Sequence, residues 1–459
     1  VGGCSGADTK DGGPAPRVET VVQDDPLLLY GSAEQVRAVT GRLAGLGVDR
    51  VRITAGWSAI APDPEAARKP DFDATDPAAY GEGAWQSVDR AVRATVAAGM
   101  EPMLDVAFWA PRWAVARPVG GPTNYRFKPS AADFRAFARA AARRYDGSFE
   151  GLPAVRLWAT WNEPNHPTFL LPQWERREGE WTPSSPHVYR ELHNVAYDAI
   201  KAVDADNRVL MGNLSSRGDP AGTRRRMAPL LFLRELACVD AALRPLRRPE
   251  CEGFEPLRAD GFAHHPYSYR QAPGQRSANR DEVRMADLDR LSNLLALLHE
   301  RGRIAERLPL YLTEYGYESD PPAPRGADLE TQARWLSDAT AIAHGRPDVR
   351  MHAQFLLTDV KPPELFQTGL LFADGRPKPA LAAFRLAFSA DERGRAFGLL
   401  RPGSGARELE LRQRDPAGTW VTVRTLRTDE DGEVRFTLTR PGSYRLVHGA
   451  DRSVVVELG

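Results

Sequence analysis

The feature that most constrains this chain is a rhythm. Between residues 21 and 388, short apolar runs alternate with amphipathic stretches. Residues 21–23, 49–54, 101–108, 155–161, 208–213, 260–264, 308–313 and 349–357 read as strands. Residues 32–46, 85–98, 130–145, 186–203, 286–300, 329–344 and 379–388 read as helices. Ser32 is a plausible N-cap, and Gly47 and Gly99 stand just past helix ends. Strands separated by helices pair in parallel, because a parallel pair needs a long crossover. Eight such strands fit a (β/α)8 TIM barrel. A doubly wound sheet fits the alternation equally well. The barrel is favoured because unusual polar residues fall at the C-terminal ends of several strands. No glycine-rich phosphate fingerprint follows the first strand.

After residue 390 the pattern changes. Residues 408–414, 420–427, 433–438, 442–448 and 453–458 read as short strands, with Asp431-Gly432 and Pro441-Gly442 as turns. The expected organisation is a flexible N-terminal tether over 1–20, a catalytic barrel over 21–390 and a small all-β, sandwich-like accessory domain over 391–459.

Composition matters for what it excludes. Lys+Arg and Asp+Glu both number 61, so the chain lacks the basic excess of a nucleic-acid binder. No run of 18 apolar residues suggests a membrane-spanning helix. Only three cysteines are present, too few for a disulfide scaffold. Cys4 ends a small-residue run and precedes a Gly/Ala/Pro-rich stretch, which resembles a lipobox and tether. The expectation is lipidation at Cys4, with the protein exported as a cell-surface lipoprotein or extracellular. Cys238 and Cys251, 13 apart, could then form a disulfide, or stay as free thiols.

The chemistry sits in two segments. Trp161-Asn162-Glu163-Pro164-Asn165 closes the fourth strand, and Pro164 stops the ladder there. Thr313-Glu314-Tyr315-Gly316 closes the seventh. In a barrel, both carboxylates would stand at the catalytic mouth. Glycosidic bond cleavage needs such a pair. One carboxyl group is held protonated, and the other is ionised.

These segments resemble clan A glycoside hydrolases, such as families 5 and 39, over about residues 21–388. The resemblance implies a retaining enzyme with a (β/α)8 barrel. It assigns Glu163 as acid/base, Glu314 as nucleophile and Asn162 as the holder of the neighbouring sugar hydroxyl. It also matches Arg52, in VRIT, to an arginine beside the nucleophile. His265 and Tyr267, in HHPY, match a His-x-Tyr pair around that site. His264 reads as structural. Trp109 and Trp113 follow the third strand as in family 39. The indole often found at the end of the eighth strand is replaced by Phe355 or Leu357, and the third strand lacks the usual histidine. A sugar platform is therefore expected elsewhere, from Trp109 and from Trp174 or Trp181. Glu318 and Asp359 are reserve carboxylates.

The expected activity is retaining hydrolysis of β-type bonds in a neutral glycan or glycoside. The alternatives are a transglycosylase with the same pair, or a non-catalytic carbohydrate-binding surface lipoprotein. No cofactor or metal is expected. The partner is a carbohydrate substrate rather than nucleic acid, with membrane anchoring only through Cys4, and the protein is expected to be a monomer.

Overall fold

The computed structural model describes residues 17–116, 125–361 and 366–459. Cys4 and most of the expected tether lie outside them. Eight strands close a parallel barrel in sequential order. They are β1 (Glu19–Gln23), β2 (Arg50–Gly56), β3 (Glu101–Ala107), β4 (Leu157–Thr160), β5 (Arg208–Ser215), β6 (Gly261–His265), β7 (Leu310–Leu312) and β8 (Val349–Phe355). β8 closes on β1 through pairs such as Val22 with Gln354.

The helices that follow these strands are α1 (Ala33–Gly45), α2 (Gln86–Ala97), α3 (Ala131–Arg144), α4 (Ser185–Lys201), α5 (Pro229–Leu236), α6 (Leu288–Glu300), α7 (Leu329–His344) and α8 (Pro379–Arg385). α1 starts on a capping box. Ser32 accepts from the Gln35 amide, and the Gln35 side chain accepts from the Ser32 amide. α5 was not anticipated, because Pro229 to Leu233 is apolar on every side and shows no helical stripe.

Alternation along each strand separates two cores. Val51, Ile53 and Ala55 of β2 pack outward with the helices. Val21, Met103, Leu157, Leu210, Tyr311 and Met351 fill the barrel interior. Gly261 is required there, since a Cβ on it would lie 2.4 Å from the Tyr311 ring. Nearer the C-terminal ends the inward positions turn polar, starting with Arg52.

The C-terminal part is built of antiparallel sheets and begins earlier than the sequence suggests. The helix expected over 379–388 ends at Arg385, and Leu386–Ala390 is already a strand, β9. β9 pairs with β10 (Arg395–Leu400), which the sequence reading missed, and β10 pairs with Glu433–Thr437. A second sheet is centred on Glu408–Arg414, flanked by Trp420–Arg427 and Gly442–His448. Leu386, Phe388, Leu409, Leu411, Leu446 and Val456 join the sheets in one apolar cluster.

This part docks at the N-terminal ends of the barrel strands, away from the catalytic end. Buried Arg401 donates to Thr20 Oγ1 of β1 at 3.0 Å and to the Phe384 carbonyl at 2.7 Å. Pro402 lies against Gly47, and Glu433 meets His344 Nδ1 at 2.5 Å. Cys238 and Cys251 form a disulfide with Cα atoms 5.7 Å apart. Among the described residues, no helix is long and apolar enough to cross a membrane.

Candidate active site at the C-terminal ends of the strands

Glu163 owes its position to a break in β4. Trp161 and Glu163 both adopt left-handed backbone, with φ of 64° and 37°. Such conformations cost about 1–3 kcal/mol each in non-glycine residues and persist only where the surroundings impose them. Here the surroundings do. The Glu163 amide donates to the Asn213 carbonyl at 3.0 Å. Asn165 accepts from the Ser215 amide and donates to the carbonyls of Ser215 and Met227. Gln173 donates to the Pro164 carbonyl at 2.8 Å. The WNEPN segment is thereby clamped to the end of β5, and Asn162 and Glu163 are carried into the mouth.

Glu314 follows β7 and meets donors on two sides. Arg52 Nη1 donates to its Oε1 at 2.5 Å, and Tyr267 Oη donates to its Oε2 at 3.1 Å. Burial pushes the Tyr267 phenol well above its ordinary range, so it keeps the proton it donates. Among the described residues, no arginine or lysine bonds Glu163. Its Oε1 lies 3.0 Å from His265 Nδ1, which is 3.6 Å from Glu314 Oε2. Burial raises the Glu163 carboxyl, and the nearby Glu314 charge adds to this, against the contact with His265. Burial also pushes His265 down to about 4, so its ring is neutral near pH 7. Two carboxylates thus meet opposite environments across one imidazole.

A carboxylate oxygen of Glu163, a ring nitrogen of His265 and a carboxylate oxygen of Glu314 lie within 4.8 Å of one another. This spacing would suit a cation, but Arg52 already delivers a fixed positive charge to Glu314. Among the described residues, the other such cluster, His187 with Cys238 and Cys251, has its thiols in the disulfide.

Arg52 is fully buried and contacts four side chains from different elements. Nη1 donates to Gln23 and Glu314, and Nη2 donates to Asp105 Oδ2 at 2.6 Å and Asn162 Oδ1 at 2.8 Å. A guanidinium only donates, so Asn162 must turn its oxygen to Arg52 and leave its NH2 group for the mouth.

The structure brings Arg52, Asn162, Glu163, His265, Tyr267 and Glu314 into one network. His264 points the other way and bonds the Val283 carbonyl through Nε2. The tryptophans divide. Trp109 is 38% exposed, with its indole N–H held by the Thr168 carbonyl. Trp181 is 39% exposed on a hairpin of Trp174–Arg177 and Glu180–Pro183, under the Arg176 guanidinium. Trp113 packs edge-on against Trp57 and Phe72, so its ring belongs to an aromatic cluster beneath the loops. Trp174 is buried. Asp359 is taken by Lys378 in a buried ion pair at 2.7 Å.

Sequence reasoning missed Gln23, Asp105 and Asn213. Asp105 is fully buried in the middle of β3. Asn213, with φ of 50°, donates to Asp105 Oδ1 and the Trp161 carbonyl and accepts from Thr313 Oγ1. The available signal was an aspartate inside the apolar run EPMLDVAF, because a buried charge demands a partner.

Residues 26–339 match the family model described as Cellulase (glycosyl hydrolase family 5). No curated protein matches the chain. Among solved structures, a glucosidase from Croceicoccus marinus has a TM-score of 0.53 at 15% identity, covering 90% of this chain and 81% of that one. A monomeric beta-xylosidase from Caulobacter crescentus CB15 has a TM-score of 0.51 at 15% identity, covering 93% and 95%. A GH5_18 protein from Bifidobacterium longum subsp. infantis has a TM-score of 0.51 at 18% identity, covering 80% and 78%. At these identities the likeness shows the fold alone.

Proposed function

Since the chain belongs to glycosyl hydrolase family 5, a retaining clan A family of glycoside hydrolases, we propose that it cleaves β-type bonds of a neutral glycan or glycoside by double displacement. The observation that carries this reading is the unequal environment of Glu163 and Glu314. Glu314 faces a guanidinium and a phenol, which suits a carboxylate that attacks the anomeric carbon. Glu163 is held toward its protonated form by burial, which suits a proton donor to the leaving oxygen.

In the first step Glu314 forms a bond to the anomeric carbon as the glycosidic bond breaks, and Glu163 gives its proton to the departing oxygen. Glu163, now a carboxylate, takes a proton from water in the second step. The resulting hydroxide equivalent attacks the same carbon and releases Glu314. Two inversions restore the starting configuration. The Asn162 NH2 group, turned outward by Arg52, is available to hold a hydroxyl beside the reacting carbon. Trp109 and Trp181 offer exposed aromatic faces for sugar C–H surfaces.

A panel of nitrophenyl glycosides differing in sugar and anomeric configuration identifies the substrate, and two variants then test the roles. Glu314→Gln is expected to lose all turnover. Glu163→Gln is expected to retain glycosylation only with activated leaving groups, and added azide should yield a glycosyl azide of retained configuration. Full activity in either variant would refute its assignment.

A further inference from the structure

Arg52 has four Nη hydrogens, and all four are used. Gln23 and Glu314 take one nitrogen, and Asp105 and Asn162 take the other. Asp105 is therefore half of the grip that sets where the Glu314 side of the guanidinium points. It has no exposed surface. Its second oxygen accepts from Asn213 Nδ2 at 3.2 Å, which links it to the residue that clamps the Glu163 segment.

Charge balance makes this an unusual choice for a core position. The charged groups that face Asp105 are Arg52 from β2, Glu314 after β7 and Asp25 after β1. Asp25 is bonded to Thr54 and Gln23. Two carboxyl groups thus share one guanidinium, and the third, Asp25, lies near it without a bond to it. A buried ion pair is seldom the most stable filling for a core, and an apolar side chain would serve packing as well. Asp105 is therefore best explained by what it does to Arg52.

We propose that Asp105 is a positioning residue: its carboxylate holds Arg52 in the orientation that presents Nη1 to Glu314, and neutralising it loosens that hold. This rests on Glu314 being the nucleophile. Burial pushes the Asp105 carboxyl up to about 7, against the attraction of Arg52, so its charge changes around neutral pH. Near pH 5 the wild type carries a neutral group there, much as an asparagine would be.

The test compares wild type with Asp105→Asn, using the 2,4-dinitrophenyl and 4-nitrophenyl glycosides of the sugar selected by the panel. The quantity read is the ratio of kcat/KM values across pH, which cancels groups titrating alike in both proteins. The ratio is expected to stay within about threefold near pH 5. It should rise to about tenfold or more near pH 8, the order expected for losing a charge-assisted hydrogen bond. Both leaving groups should lose equally, because proton donation by Glu163 is untouched. A ratio that does not change with pH would overturn the inference, as would a loss confined to the poorer leaving group. If Asp105→Asn does not fold, Asp105→Ser, with room for water, carries the same readout. Failure of both to fold would also overturn it, since Asp105 would then hold the barrel rather than orient Arg52. The variants Glu163→Gln and Glu314→Gln separate the two levels. If they retain full activity, the reading of the site fails; if they behave as expected and the ratio is flat, only the role of Asp105 fails.

Discussion

Glu163 and Glu314 are the same side chain placed in two surroundings. One is half-buried beside a neutral imidazole, and the other is buried and bonded by Arg52 and Tyr267. The phenol can be tested apart from its ring. Tyr267→Phe keeps the stacking against Tyr315 but removes the donor to Glu314. A hydrogen bond to a charged group contributes about 1.5–3 kcal/mol, so kcat should fall roughly 10- to 100-fold. The melting temperature should hardly move. Wild-type kcat in this variant would show that the donor plays no part in the reaction. Residues of this kind were legible when they interrupted a pattern. Glu163 stands before a proline at a strand end, and Glu314 follows an apolar strand. Asp105 and Gln23 lie within strands, where only knowledge of their neighbours shows that their charge or amide is used.

At the scale of elements, the ends of β4, β5 and β7 act as one piece. Asn213 sits where the β5–β6 register shifts, and its side chain ties Trp161, Thr313 and Asp105 together. Asn213→Ala removes these bonds and leaves a Cβ residue in left-handed backbone without its side-chain support. Denaturant unfolding should show a loss of about 2–4 kcal/mol, with kcat reduced as Glu163 loses its seat. A loss below about 0.5 kcal/mol would mean the clamp is unimportant. The β/α rhythm gave all eight barrel strands to within a few residues, because apolar runs and helical stripes differ in period. The bulge at Asn213 and the left-handed turn at Glu163 leave no periodic trace. They arise from contacts between strands distant in sequence. Helix α5 was hidden for the opposite reason, since its first five residues are all apolar and leave no stripe to read.

At the scale of the molecule, the C-terminal sheets grip the barrel at the end away from the site. Arg401, Pro402 and Glu433 make that contact. Buried titratable groups then set how stability depends on pH. His193, His264 and His265 are pushed down to about 4 by burial, and His352 to about 3. Their folded pKa values lie below the unfolded value of 6.5, so the unfolded chain binds protons first. Stability from these groups is present above 6.5 and lost as pH falls toward 4 and 3. Asp24 and Asp105 are pushed up to about 7, so they act in the opposite direction, favouring the folded state as pH falls from 7 toward 3.8. His166 is likewise pushed down to about 4, and carboxyls bonded to arginines, such as Asp219 and Asp348, are held below their ordinary range; together these outweigh the raised carboxyls, and the melting temperature should decrease between pH 6.5 and 4. A melting temperature that rose over this interval would mean that the raised carboxyls dominate.

The central claim is double displacement by Glu314 and Glu163. Its most direct test is proton NMR of the first product released from an aryl glycoside, recorded before mutarotation. The account predicts that the anomeric proton first appears with the configuration of the substrate. A product that first appears with the opposite configuration would contradict it.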